Sequence, residues 1–233
     1  RLYYQGMPSK AFTKLSEAIN DIYLPFSQVP VNSNFYRMRI IKDEDMRSIN
    51  YEKMFHIPLN KRELVRTERF SAPGYPCLYI GNSSYVCWEE MGRPSLSSCM
   101  VSRLTNRLPL KVLDLSFSCF DEWNDNFEER IVADALILAS IIKRSPKDAN
   151  YKDEYSIPQG IMEWIITHNY TENQFSKDEP DYIFGVKYVS VHKNDQFKFP
   201  ENKFINIAIP VIQSDSDFYC QVLTAAFSIT NPT

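Results

Sequence analysis

Glycine occurs at only six places in 233 residues, Gly6, Gly74, Gly81, Gly92, Gly160 and Gly185. No two are spaced to write a G-x-G-x-x-G or a G-x-x-x-x-G-K-[ST] loop, so the glycine-rich backbone cradles of dinucleotide-binding and P-loop folds are excluded at motif level. Any nucleotide would have to be held by side chains.

Periodicity outlines the rest of the chain. Pro8 and Ser9 open a predicted helix whose apolar residues Phe12, Leu15, Ile19 and Ile22 recur at helical spacing until Pro25 and Pro30 stop it. This leading helix reads as a lid or brace. From Phe35 to Ile41 the period becomes two, with Phe35, Arg37 and Arg39 facing one way and Tyr36, Met38 and Ile40 the other. The plainer explanation is a surface strand with both guanidinium groups in solvent and the other three residues on the core, and for Arg39 it is preferred. Asp43 to Tyr51 reads as a polar connection. Lys53 to Ser71 reads as irregular backbone carrying Lys61, Arg62, Arg66 and Arg69, a charge run of the kind that is usually a solvated face.

Pro73-Gly74 and Pro76 mark a turn into an apolar strand, Cys77 to Ile80. Asn82 or Ser83 can then cap a helix running through Met91. On it Val86 and Glu90 share a face, whereas Glu89 points about 100° away, so the two glutamates cannot do the same job. Leu110 to Phe117 alternates as a strand. Asp125 or Asn126 opens what reads as the longest helix, with Phe127, Ile131, Leu138 and Ile142 as its buried stripe; its acidic start, Asp125, Glu128 and Glu129, is explained by the helix dipole without a metal. Ile157-Pro158-Gln159 leads into another helix with Ile161, Trp164, Ile165 and His168 on one side, His168 being a core or helix-end residue. Glu172 to Asp181 reads as a surface loop. Strands are expected at Phe184 to Val191 and at Lys203 to Ile212, bounded by Pro200 and broken by Pro210, and the tail Phe218 to Ile229 could add an edge strand. Helices interspersed among short strands, with no internal repeat, predict a mixed α+β fold.

A hydrophobic content of 44% over this length supports one large domain with a sizeable core. The net charge of -3 and a pI near 5.7 give no overall basic surface, so nucleic acid is not the expected partner. No apolar run approaches the roughly 20 residues of a membrane span, and a soluble protein is expected. The N-terminal RLYYQGM lacks the regions of a secretory signal and reads as an internal start or the scar of a cleaved tag. Five cysteines, Cys77, Cys87, Cys99, Cys119 and Cys220, form no C-x-x-C pair, and their odd number points to a reducing cytoplasm. The three histidines, His56, His168 and His192, are too far apart for a helical ligand pair, so no metal site is expected.

The segments FYRMR, ERFSAPG, CLYI and SSYVCWEE, followed by Ile157-Pro158-Gln159 and the strand from Gly185 to Ser190, occur in an order that resembles the RES domain. That family is named for an arginine, a glutamate and a serine, and its members attack NAD and often act as toxins paired with an antitoxin. The resemblance covers roughly Asn34 to Ile212. It implies residues 1–33 as an N-terminal helical extension, 34–213 as the NAD-binding domain and 214–233 as a C-terminal edge segment. The implied fold is α+β, a split β-sheet with flanking helices similar to the ADP-ribosyltransferases. Two departures stand out: ERFS replaces the usual glycine before the arginine and asparagine after it, and the preceding segment carries an extra block, KMFHIPLNKREL.

Carried across, the resemblance implies Glu90, Arg37 and Ser190 as catalytic residues and Arg37, Arg69, Tyr79 and Ser190 as NAD contacts. The chemistry suits these residue types. Cleaving the nicotinamide–ribose bond builds positive charge on the sugar, which a fixed carboxylate such as Glu90 stabilises. Guanidinium forks match the oxygens of a diphosphate, so Arg37 and Arg69 can replace the missing glycine cradle. Tyr79 offers an aromatic face to nicotinamide, and Ser190 a hydroxyl to the carboxamide or ribose. Without the resemblance, Tyr79 reads as core, Ser190 as a strand-end hydroxyl and Glu90 as a solvent-facing helix end.

The expected protein is thus a cytoplasmic NAD-consuming toxin with NAD as substrate, no metal, a separately encoded antitoxin as partner, and homo-oligomerisation left open. A rival reading is a non-catalytic RES-like module whose basic Lys61 to Arg69 loop docks a protein or RNA. A third, a cysteine hydrolase using Cys77 or Cys87 with His56, has no orienting carboxylate in recognisable order.

Overall fold

Alternating apolar residues give most strands of this chain two faces to bury, and the fold answers with a sheet covered on both sides. The computed structural model describes residues 2–41, 49–116, 127–142, 145–146, 149, 151–171, 182–190, 204–212 and 218–233, with backbone alone at 127–133 and 171. In chain order the elements are α1 (Pro8–Asn20), β1 (Phe26–Val29), β2 (Asn34–Ile40), β3 (Cys77–Gly81), α2 (Ser84–Glu90), β4 (Cys99–Asn106), β5 (Leu110–Leu115), α3 (Phe127–Ile141), α4 (Ser156–Thr171), β6 (Ile183–Val189), β7 (Ile205–Pro210), α5 (Gln221–Ala226) and β8 (Phe227–Ile229). Short 3₁₀ turns at Tyr51–Met54 and Leu59–Leu64 carry the chain between β2 and β3.

The eight strands lie in the order β1-β5-β6-β7-β3-β2-β4-β8. Every neighbouring pair is antiparallel except β5 and β6. The mixed α+β expectation therefore holds, with one mostly antiparallel sheet. One core lies under α1, α3 and α4 and contains Ile19, Leu113, Leu115, Ile137, Ile161, Ile165, Val186 and Ala208. The other contains Phe35, Leu78, Ile80, Leu104, Ile207, Ile209, Leu223 and Phe227. Along β7 the alternation is direct, Ile207 and Ile209 entering one core and Ala208 the other. In β6 the period breaks: a register shift against β5 leaves Phe184 without a partner of its own, so Phe184 and Val186 enter opposite cores despite their even spacing.

Several sequence expectations need correction. Ile40 is 52% exposed although the alternation placed it on the core, because it sits at the far end of β2. In α3 the buried positions are Leu136, Ile137 and Ser140, while Leu138 and Ile142 lie more than half exposed; the stripe is rotated from the expected one, and the side chains of Phe127 and Ile131 fall outside the described residues. The longest described helix is α4, by one residue. The tail does supply the edge strand β8, but after a helical turn, α5, which the sequence reading missed. Cys119, Asp125, His192 and the Glu172 to Asp181 loop lie outside the described residues.

Gly185 has a packing reason. A Cβ built there would lie 2.1 Å from Ala208 O on the adjacent strand, and backbone cannot give way as a side-chain tip can. Gly185→Ala is therefore expected to cost about 3 kcal/mol or more of folding stability. Urea denaturation checks this, and a midpoint unchanged from the parent would refute the tight β6–β7 approach.

Candidate functional site

The sheet parts between β2 and β3. Among the described residues these two strands share one paired position, Tyr36 with Gly81, whereas β2 pairs β4 along its whole length from Asn34–Thr105 to Ile40–Cys99. From that pair toward Tyr79 the ladder is not continued, and there Arg37 Nη1 donates to Tyr79 O at 3.1 Å. The opening holds a cavity of about 400 Å³, within the range of small-molecule sites. Its walls draw on both sides of the sheet, with Cys77, Tyr79 and Tyr188 from one core and Ile80 from the other.

Arg37, Arg69, Tyr79 and Glu90 all line this cavity, from β2, the 67–71 turn, β3 and the end of α2. Ser83 caps α2 by accepting from Val86 N at 3.2 Å, and this fixes the helical phase. Glu90 consequently faces the cavity, where its Oε1 accepts from Asn206 Nδ2 at 2.7 Å. Glu89 is buried elsewhere, its Oε2 accepting from Arg93 Nε at 2.9 Å. Geometry thus separates the two glutamates as the helical spacing required.

The two arginines are held differently. Among the described residues the buried Nε of Arg37 has no hydrogen-bond partner, and burial, with Arg39 adding repulsion, brings the pKa of Arg37 down to about 10. It stays charged at neutral pH, a cation with donor capacity to spare. Arg69 is 8% exposed; its Nη1 donates to Ser140 O at 2.5 Å and Ile142 O at 3.0 Å, the carbonyls at the C-terminal end of α3. A cation there satisfies orphan carbonyls and complements the helix dipole. The Arg69 guanidinium also lies 5.2 Å from the Tyr155 ring centroid.

Tyr79 lines the cavity, and its hydroxyl accepts from Phe70 N at 3.2 Å and shares a hydrogen bond with Ser71 Oγ at 2.9 Å. Ser190, by contrast, is fully buried, its amide donating to Phe204 O at 2.7 Å, and it is not among the cavity-lining residues. Tyr188, two residues earlier, is. Sequence reasoning also missed Asn206 and Tyr155 as cavity residues: a lone asparagine in an apolar strand and a tyrosine before a helix carry no chemical signature of their own. Gly81 belongs with them, since a Cβ there would lie 3.0 Å from Cys87 Sγ and 3.1 Å from Asn206 Oδ1.

The extra block before the arginine turn forms a wall. Met54, Phe55, His56 and Leu59 are buried, Ile57 and Leu64 line the cavity, and Val65 and Arg66, which follow the block, extend that lining. The basic run is not a uniform solvated face either. Lys61 and Arg66 are exposed, but Arg62 donates to Gly74 O at 3.3 Å and Arg69 is buried. Among lining residues three arginines, Arg37, Arg66 and Arg69, face two glutamates, Glu68 and Glu90. The arrangement suits an anionic ligand that develops local positive charge.

The cysteine-hydrolase reading fails on geometry. Burial pushes Cys77 up to about 12 and Cys87 up to about 11, and their thiols donate to Phe70 O and Tyr36 O. His56 Nδ1 donates to Ile57 O at 2.8 Å and its Nε2 accepts from Cys220 N at 3.0 Å, so both nitrogens are committed to backbone. Among the described residues no His, Cys, Asp and Glu group could hold a metal ion, and no helix is long and apolar enough to cross a membrane.

Burial lowers the His56 pKa from 6.5 to about 4, so on acidification the unfolded chain takes up this proton first. The contribution of neutral His56 is complete above pH 6.5 and is lost as pH falls toward 4. It should amount to something on the order of 3 kcal/mol. Denaturation midpoints of a His56→Gln variant should depend less on pH across this window than those of the parent; equal dependence would contradict the buried neutral imidazole.

The chain is 34% identical, over 258 aligned residues, to a protein of Bacillus subtilis (strain 168) named "Putative toxin YopC". The match takes in 99% of this chain and 55% of that protein, so the chain spans about half the length of the curated relative it matches. No protein-family model matches the chain. No solved structure matches it either.

Proposed function

We propose that the protein binds NAD in the cavity between β2 and β3 and cleaves its nicotinamide–ribose bond, passing ADP-ribose to phosphate, water or a macromolecule. One observation carries this reading: Arg37, Arg69 and Glu90, far apart in sequence, meet around one cavity of about 400 Å³. The parting of the sheet supports the further proposal of an ADP-ribosyltransferase-like, split-sheet site.

When the glycosidic bond breaks, its electron pair passes to the ring nitrogen of nicotinamide and discharges the pyridinium. The sugar carbon is left cationic until the acceptor's oxygen attacks. Glu90 lowers this barrier by placing a carboxylate beside the developing charge, and Asn206 fixes its orientation through Oε1. Arg37 and Arg69 bind the diphosphate, and the partnerless Nε of Arg37 is a donor that an anionic ligand could draw on after a small shift. Tyr79, Tyr155 and Tyr188 supply aromatic surface for the nicotinamide ring. The contact implied for Ser190 has no counterpart in the cavity lining. No metal is invoked.

The name of the Bacillus relative supports a toxic role for this chain, which NAD depletion in a cytoplasm would produce. A neutralising partner that covers the cavity mouth belongs to the same proposal.

Purified protein incubated with NAD should release nicotinamide, and phosphate should change the identity of the second product if phosphate is the acceptor. Glu90→Gln keeps the shape and removes the charge; it should lower kcat about 10² to 10³-fold with a smaller change in KM. Asn206→Ala should lower kcat about tenfold, as expected for loss of orientation alone. No nicotinamide release by the parent, with protein or RNA binding that survives Glu90→Gln and fails when Arg62 and Arg66 are neutralised, would favour the non-catalytic interaction module instead.

A further inference from the structure

Gln159 reaches across from the first turn of α4 to the segment that carries Arg69. Its Nε2 lies 3.0 Å from Glu68 O, 3.1 Å from Ser71 O and 3.2 Å from Thr67 Oγ1. Two of these acceptors are carbonyls, which accept only, so the amide must present its nitrogen to them. Its two protons match the two carbonyls.

Those carbonyls close the turn. Glu68 N donates to Ser71 O at 2.9 Å and Ser71 N to Glu68 O at 3.2 Å, which leaves Arg69 and Phe70 as the two corner residues. Phe70 is 1% exposed, its ring centroid 4.9 Å from that of Tyr188, and it anchors one corner in the core. The other corner is Arg69. Tyr79 OH accepts from Phe70 N, so the turn is gripped by Tyr79 and by Gln159.

On the reading of the cavity as a nucleotide site, we infer that Gln159 is a positioning residue. It acts through Arg69, locking the 67–71 turn so that the guanidinium is already in place when the diphosphate arrives. Gln159 is absent from the cavity lining, so it has no contact with ligand to make. Its contribution is preorganisation, which appears as ligand affinity only while Arg69 is there to be organised.

A double-mutant cycle on the full chain tests this, with ADP-ribose as the probe because it keeps the diphosphate and cannot turn over by nicotinamide loss. Gln159→Met retains the length and packing of the side chain and removes the donor. It should weaken ADP-ribose binding about tenfold in the parent and less than twofold in an Arg69→Ala background. Equal weakening in both backgrounds, or none in either, would overturn the positioning role while leaving the nucleotide site intact. If Gln159→Met does not fold, Gln159→Glu, which sets a carboxylate against the same carbonyls, must show the same dependence on Arg69, and independence from Arg69 would overturn the role equally. A folded parent that binds neither NAD nor ADP-ribose would instead sink the nucleotide reading, and the role of Gln159 with it.

Discussion

The Tyr36–Gly81 pair joins the two wings of the sheet, β1-β5-β6-β7-β3 on one side and β2-β4-β8 on the other. Because the ladder stops there, strand backbone is replaced by side chains over the next few residues, and the Arg37 bond to Tyr79 O bridges the gap. Gly81 makes the junction possible. With no Cβ it lets Cys87, Val86 and Asn206 close in, which brings the end of α2 beside β7 and the Glu90 carboxylate against the Asn206 amide. A larger residue would push on contacts already near 3 Å.

A polar cavity between two apolar cores is costly unless its charges are placed on fixed supports. The support here is extensive. Arg69 is tied to the end of α3, its turn is gripped by Gln159 and Tyr79, and Glu90 is oriented from β7. Arg37 keeps one buried donor without an acceptor among the described residues, a local cost that an anionic ligand could relieve. On the proposed reading, such a site is organised before its ligand comes, which is what electrostatic catalysis requires.

Much of this was legible in the chain because local chemistry dictated it. Pro8, Ser83 and Pro76 mark element starts by capping or by removing a donor, and α1, α2 and β3 lie where those signals put them. The helical spacing separated Glu89 from Glu90, the resemblance pointed to Glu90, and the Ser83 cap seen in the fold sets the phase that turns Glu90 to the cavity. What escaped reading depended on neighbours distant in sequence. The β6 bulge, the exposure of Ile40 and the rotated stripe of α3 are set by packing partners, not by period. Asn206 and Gln159 are ordinary polar residues until folding carries them to Glu90 and to the 67–71 turn. Ser190, to which the order of motifs pointed, is fully buried and is not among the residues that line the cavity.

Crystals of the Glu90→Gln variant grown with NAD would test the central claim most directly. A dinucleotide should enter between β2 and β3, its diphosphate on Arg37 and Arg69 and its nicotinamide ribose within hydrogen-bond reach of position 90. A dinucleotide bound elsewhere, or an empty cavity at saturating NAD, would contradict it.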